Sequence, residues 1–181
     1  MQLSNLCQSI TKTISKNKKT VIFLNTGDIF NGQILHKNFS LTNTLPGQAK
    51  KTVENNDILF SEIRPKNGRY ALVNVLNPDD YVVSTKLMVI RCNDMILPKY
   101  LYYYLTSPVI LDHLQELAES RSGTFPQITF DEIKSLEINL PSKGDQQHIV
   151  NTISSALIFL LLFLLIVYFF QISLIILEIT F

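Results

Sequence analysis

The spacing of apolar residues along this chain changes several times, and each change predicts a new kind of element. Leu3, Leu6, Ile10 and Ile14 stand three or four apart, which predicts a short amphipathic helix within residues 1–20, followed by a lysine-rich turn. Beyond residue 20 the pattern shortens. Residues 21–24, 57–63, 70–76 and 81–91 are apolar or alternating runs cut off by Gly, Asn and Pro, which is strand chemistry. Thr26-Gly27-Asp28, Pro46-Gly47, Lys66-Asn67-Gly68 and Asn77-Pro78-Asp79-Asp80 supply the turns. Each offers a residue that accepts positive φ or holds φ near a turn value.

Helical spacing returns at residue 98. Residues 98–106 and 108–119 both open on proline, and Val109, Leu111, Leu114, Leu117 and Ala118 recur at helical intervals, so two short helices are expected. Thr129 with Glu132 three residues later predicts a third, capped helix. A strand over residues 136–140 should follow, ended by Pro141. Tyr102, Tyr103 and Tyr104 read as packing residues with surface hydroxyls rather than as stacking platforms. The fold class is therefore α+β: a twisted mixed or antiparallel sheet with short helices, followed by a C-terminal helix.

That last helix starts amphipathic, with Ile149, Val150, Ile153, Ala156 and Leu157. From Leu157 its polar face disappears, and residues 156–177 hold no Asp, Glu, Lys or Arg. Twenty-two such residues suffice to cross a bilayer as a helix, and a coiled-coil spacer would need charged outer positions. Three readings compete: the frame-shifted end of a longer gene, a tail anchor holding the rest in the cytoplasm, or a buried apolar hairpin that needs a partner to cover it.

Length and composition narrow the rest. The 181 residues suit one ordinary domain. Cys7 and Cys92 are far apart and form no CxxC pair, which argues against a disulfide framework or zinc ribbon and fits a reducing, cytoplasmic setting. Residues 1–20 carry Lys12, Lys16, Lys18 and Lys19 and no signal-type apolar core. No Gly-rich phosphate loop is present, and His36, His113 and His148 lack ligand spacing. Asn77-Pro78 lacks the second proline and the aromatic residue that clamp a flipped base in amino-methyltransferases. No catalytic residue, metal site or cofactor is expected.

Charge is uneven. Residues 1–70 hold ten Lys or Arg against four Asp or Glu, a net of +6, whereas residues 71–155 hold six against ten, a net of −4. The basic half is the candidate phosphate-facing half, because a polyanion is attracted through counterion release.

Five pieces, in order, resemble the specificity subunits of type I restriction-modification systems. They are Asn56 to Pro65, the strand pair ending at Val83-Ser84-Thr85, the tyrosine-rich helix from Pro98 to Leu105, the Ser122-Gly123-Thr124-Phe125-Pro126-Gln127-Ile128 loop, and Ile138-Asn139-Leu140-Pro141 followed by Gln146-Gln147-His148-Ile149. The resemblance implies a non-catalytic target recognition domain over residues 1–145 and a helix over residues 146–181 that starts like a spacer. Family members carry two recognition domains, each reading half of a split site. They dock onto methyltransferase and restriction subunits, and the methyltransferase brings the S-adenosylmethionine. The implied partners are therefore double-stranded DNA and those subunits. This chain has room for one recognition domain, a half-subunit that could pair with a second copy through the C-terminal helix and read a palindromic split site. A membrane is the further partner that residues 156–177 suggest, and a degenerate, membrane-anchored interaction protein is the alternative reading.

The candidate DNA-contacting residues are Lys50, Lys51, Arg64, Lys66, Asn67, Arg69, Arg121, Ser122, Gly123, Thr124 and Gln127. The cations between Lys50 and Arg69 lie within twenty residues and suit phosphates. Arg64, Arg69 or Arg121 could fork onto guanine, Asn67 or Gln127 could do so on adenine, and Ser122-Gly123-Thr124 could bring backbone close to a phosphate. The sequence leaves open which of them read bases.

Overall fold

The computed structural model describes residues 1–13, 18–120 and 126–180, with side chains to Ile172. Among these residues, ten strands and four helices form in chain order. The strands are β1 (Cys7–Ser9), β2 (Thr20–Leu24), β3 (Ile29–Phe30), β4 (Gln33–Ile34), β5 (Ser40–Leu41), β6 (Ala49–Thr52), β7 (Ile58–Ser61), β8 (Tyr70–Leu72), β9 (Tyr81–Ser84) and β10 (Leu87–Cys92). The helices are α1 (Pro98–Leu105), α2 (Pro108–Glu119), α3 (Phe130–Ser135) and α4 (Lys143–Thr180).

Two four-stranded sheets result, where the sequence suggested one. The first, in the order β1-β10-β7-β8, is antiparallel throughout; the second, β5-β2-β9-β6, is mixed, with β2 and β9 parallel. Period-2 alternation explains how one strand serves two cores. Ile58, Phe60, Met88 and Ile90 face the helices, while Leu59, Leu87 and Val89 face the second sheet and pack with Ile22, Leu24 and Val83. Residues 58–60 of β7 and 87–90 of β10 are buried on both faces, so those stretches run apolar without interruption.

The apolar run at residues 81–91 is two strands, because Thr85 and Lys86 turn the chain from one sheet into the other. Leu3 and Leu6 do not lie on a helix. They are fully buried in the helix-side core around a single 3-10 turn (Leu3–Asn5), after which β1 adds to the free edge of β10. A strand that fills an open sheet edge gains hydrogen bonds that an isolated short helix must form alone, so tertiary pairing overrides the helical spacing. Ile14 and Lys16 lie outside the described residues.

The predicted strand at residues 136–140 shrinks to one bridge, Gln2 to Glu137. Its backbone still pairs with the N-terminus: Leu3 N–H donates to Leu136 O at 2.9 Å, Ile138 N–H to Met1 O at 2.8 Å, and the Met1 ammonium to Ile138 O at 2.9 Å. The remaining helices match expectation. Thr129 caps α3, and its backbone N–H donates to Glu132 Oε2 at 2.7 Å, completing the reciprocal box. The tyrosines pack: Tyr70 and Tyr102 meet edge-on with centroids 6.1 Å apart, and Tyr104 Oη donates to Glu137 O at 2.9 Å. Both thiols are shielded, and burial pushes Cys7 to about 11 and Cys92 to about 12, so neither is a nucleophile at neutral pH.

The long helix is fixed to this body only at its start. Gln146 is buried; its Oε1 accepts from Leu97 N–H at 2.8 Å, and its Nε2 donates to Pro141 O at 3.0 Å and Met95 O at 3.3 Å. Val150 is buried too, and Tyr103 Oη meets Ser154 Oγ at 3.1 Å. From Leu157 to Phe170 every side chain is exposed.

Candidate nucleic-acid interface

Four segments from distant parts of the sequence are laced edge to edge by backbone hydrogen bonds at one end of the two sheets. Thr85 N–H donates to Gln48 O at 2.9 Å, joining the β9–β10 turn to the start of β6. Glu62 N–H donates to Lys86 O at 3.0 Å, joining the same turn to the end of β7. Arg64 N–H then donates to Pro126 O at 3.0 Å and Ile128 N–H to Glu62 O at 2.8 Å, on either side of an Ile63–Gln127 bridge. The result is one continuous edge that presents Lys50, Lys86, Arg64 and Gln127, all exposed.

Local chemistry decides which candidates are free. Lys50 sits at an irregularity of β6, between the Ala49–Ser84 and Lys51–Val83 pairs, and has no ladder partner there. Lys51 is engaged: its Nζ donates to Leu87 O at 2.8 Å and Thr85 O at 3.1 Å, tying β6 to the sheet-switching turn. Burial lowers its pKa, opposed by the attraction of Glu62. Arg69 is engaged as well, donating to Ile29 O at 3.1 Å and Gly27 O at 3.2 Å while stacked over the Phe30 ring.

Lys66 is exposed and pairs with Asp112 of α2 at 2.6 Å, and the hydrogen bond to Asp112 raises its pKa. Asn67 lies in the same 3-10 turn (Pro65–Asn67), and its N–H donates to Arg64 O at 2.9 Å. Gly68 closes that turn at φ 70°, where an added Cβ would stand 2.2 Å from Asn31 Oδ1, so only glycine fits. Arg121, Ser122, Gly123 and Thr124 lie outside the described residues.

Lys86 is the residue that reasoning from sequence missed. It stands at the centre of the edge, about half exposed, with its Nζ 3.9 Å from Glu62. The signal for it was present: Thr85-Lys86 is the polar interruption of the apolar run at residues 81–91. The other end of β10 is different in character. There Arg91 pairs with Asp57 and Glu54, beside a polar cleft of about 290 Å³ that Asp94 and Lys143 also line.

The chain is similar to known proteins along most of its length. The profile described as the type I restriction modification DNA specificity domain matches residues 1–158. The type I restriction enzyme HindI specificity subunit of Haemophilus influenzae is 47% identical over 154 residues, covering 84% of this chain and 33% of that protein. The chain thus spans about a third of the length of the curated relative it matches. Two solved structures share the fold at 24% identity. The HsdS subunit from Thermoanaerobacter tengcongensis superposes with a TM-score of 0.75 over 86% of this chain and 41% of that one. A chain from a study of complex assembly and conformational transition in the type I R-M system superposes with a TM-score of 0.73 over 87% and 41%.

Proposed function

The chain belongs to the type I restriction modification DNA specificity domain family, and from that premise we propose that it reads DNA sequence as a non-catalytic specificity subunit. It takes one half of a split target site and directs methyltransferase and restriction subunits to it. Residues 1–145 act as the recognition domain. Residues 146–181 begin as the spacer helix that would carry partner subunits or a second copy of the chain. The observation that carries this reading is the laced edge with Lys50, Arg64, Lys86 and Gln127 exposed in a row. It is open and cationic, as a phosphate backbone requires.

The test is DNA affinity of the full chain in mild detergent, together with the methyltransferase subunit of its system, at two salt concentrations. Two lysine contacts to phosphate, from Lys50 and Lys86, predict a loss of about tenfold between about 50 and about 200 mM salt. Lys86→Ala should weaken binding to all sequences alike and lower the salt slope by about one. Affinity that does not respond to salt, or no retention of DNA with the partner present, would sink the reading.

Residues 156–177 require a cover of their own: those from 156 to 171 are exposed, with no part of the described structure packed over them, and the apolar sequence runs on to residue 177. A bilayer is the occupant that fits: 22 residues at about 1.5 Å each span about 33 Å, close to the hydrocarbon thickness. The expected result is that the full chain floats with phosphatidylcholine vesicles and is not released by high salt. Recovery as a detergent-free soluble oligomer would assign the stretch to self-association instead.

A further inference from the structure

Arg64 has a backbone that few arginines adopt. Its φ of 46° and ψ of 77° lie in the left-handed region, one of three non-glycine positive φ values among the described residues. Glycine would take this conformation at lower cost, and the proline that follows restricts Arg64 further. The surroundings hold it there. Its N–H donates to Pro126 O at 3.0 Å, its carbonyl accepts from Asn67 N–H at 2.9 Å, and the preceding residue bridges to Gln127. Its guanidinium is exposed and has no partner among the described residues, in contrast to Arg69 and Lys66. A strained position kept with a free functional head is the pattern of a functional side chain on a rigid mount.

Gln127 stands on the segment paired directly beside it and is exposed as well. In a regular strand Arg64 would face away from Gln127, the bridge partner of its neighbour; the left-handed backbone breaks that alternation and releases it from the opposite face. An arginine fork matches guanine O6 and N7, and a glutamine amide matches adenine N6 and N7. As diagonal neighbours across the bridge, Arg64 and Gln127 are separated by roughly 5–8 Å, on the scale of one or two base-pair steps. Asn67, the other amide nearby, lies in the turn that Lys66 ties to α2. Lys50 and Lys86 flank the pair along the same laced edge.

We infer that Arg64 and Gln127 form a base-reading pair, the arginine on a guanine and the glutamine on an adenine at neighbouring positions, with Lys86 and Lys50 on flanking phosphates. This rests on the DNA-recognition reading above and adds to it which side chains specify sequence.

The experiment is selection from a randomised duplex pool by the full chain with its methyltransferase subunit, comparing wild type with Arg64→Lys, Arg64→Gly, Gln127→Ala and Lys86→Ala. Wild type should enrich one site, and Lys86→Ala should enrich the same site with weaker binding. Arg64→Lys keeps the charge but loses the fork, so preference for guanine at one position should fall about tenfold or more. Arg64→Gly should show the same loss with an unchanged or higher melting temperature, which separates reading from folding. Gln127→Ala should relax an adjacent adenine. If Arg64→Lys keeps the wild-type preference at every position, the pair is not a reader, although recognition by the chain stands. If wild type enriches no sequence, recognition and pair fall together.

Discussion

Replacing Asp57 with alanine should cost about 3–5 kcal/mol, a large share of the roughly 5–15 kcal/mol that holds a domain of this kind together. The carboxylate is 1% exposed, and Arg91 grips it at both oxygens, Nε to Oδ1 at 2.7 Å and Nη2 to Oδ2 at 2.8 Å. Oδ2 also accepts from Glu54 N–H at 2.7 Å. Asp57 therefore closes the turn that starts β7, while its own carbonyl accepts from Val73 N–H at 2.8 Å beside β8. The substitution leaves the Arg91 guanidinium, about a quarter exposed, with Glu54 alone. It also removes the acceptor of the part-buried Glu54 N–H. The bond to Asp57 raises the Arg91 pKa above its ordinary value, so the guanidinium stays charged and this loss should not diminish as pH rises above neutrality. The measurement is urea unfolding of the full chain in detergent, followed by near-ultraviolet circular dichroism of its seven tyrosines. A loss below about 1 kcal/mol would mean that the pair works as an ordinary surface contact.

Gln146→Leu should cost about 2–4 kcal/mol and, more informatively, should detach the long helix from the body. Leucine fills much of the same volume but leaves Leu97 N–H without its acceptor and removes donors from Met95 O and Pro141 O. Each buried group stranded in this way costs about 1–3 kcal/mol. Further along α4, Val150 is buried and Tyr103 meets Ser154, so the Gln146 amide is the polar anchor at the root of the helix and contributes most to fixing its direction relative to the sheets. Hydrogen exchange gives the readout. Amides at the start of α4 and at residues 95–97 should lose protection in the variant, while those of β7 and β10 keep theirs. Uniform loss would instead mean that Gln146 is part of the global core. If α4 sets the spacing to partner subunits, the variant should bind DNA but no longer present partners at a fixed distance.

These two residues lie at the far end of the sheets from the proposed DNA-facing edge. β10 runs from Leu87, next to the sheet-switching turn, to Cys92, next to Arg91 and the cleft near Lys143, about 20 Å for six residues. The proposed division follows from that geometry: one end of a rigid strand meets nucleic acid, and the other fixes the helix.

Much of this molecule was determined by its sequence alone. The buried strands, the proline-started helices and the Thr129–Glu132 cap were legible because each depends on residues a few positions apart. So was the apolar stretch of α4, whose lack of charge is a property of composition. Tertiary structure decided what local pattern cannot encode. Leu3 and Leu6 have helical spacing, yet the open edge of β10 takes the next residues as a strand. Residues 136–140 alternate like a strand but find only the N-terminus to pair with. The cations near Lys50 to Arg69 seemed equivalent in sequence, and folding separated them. Lys51 and Arg69 were spent on backbone carbonyls, Lys66 on Asp112, and Lys86 was brought in from another hairpin. Whether a charge is free depends on which carbonyls and carboxylates the long-range pairing delivers to it, and those come from residues tens of positions away.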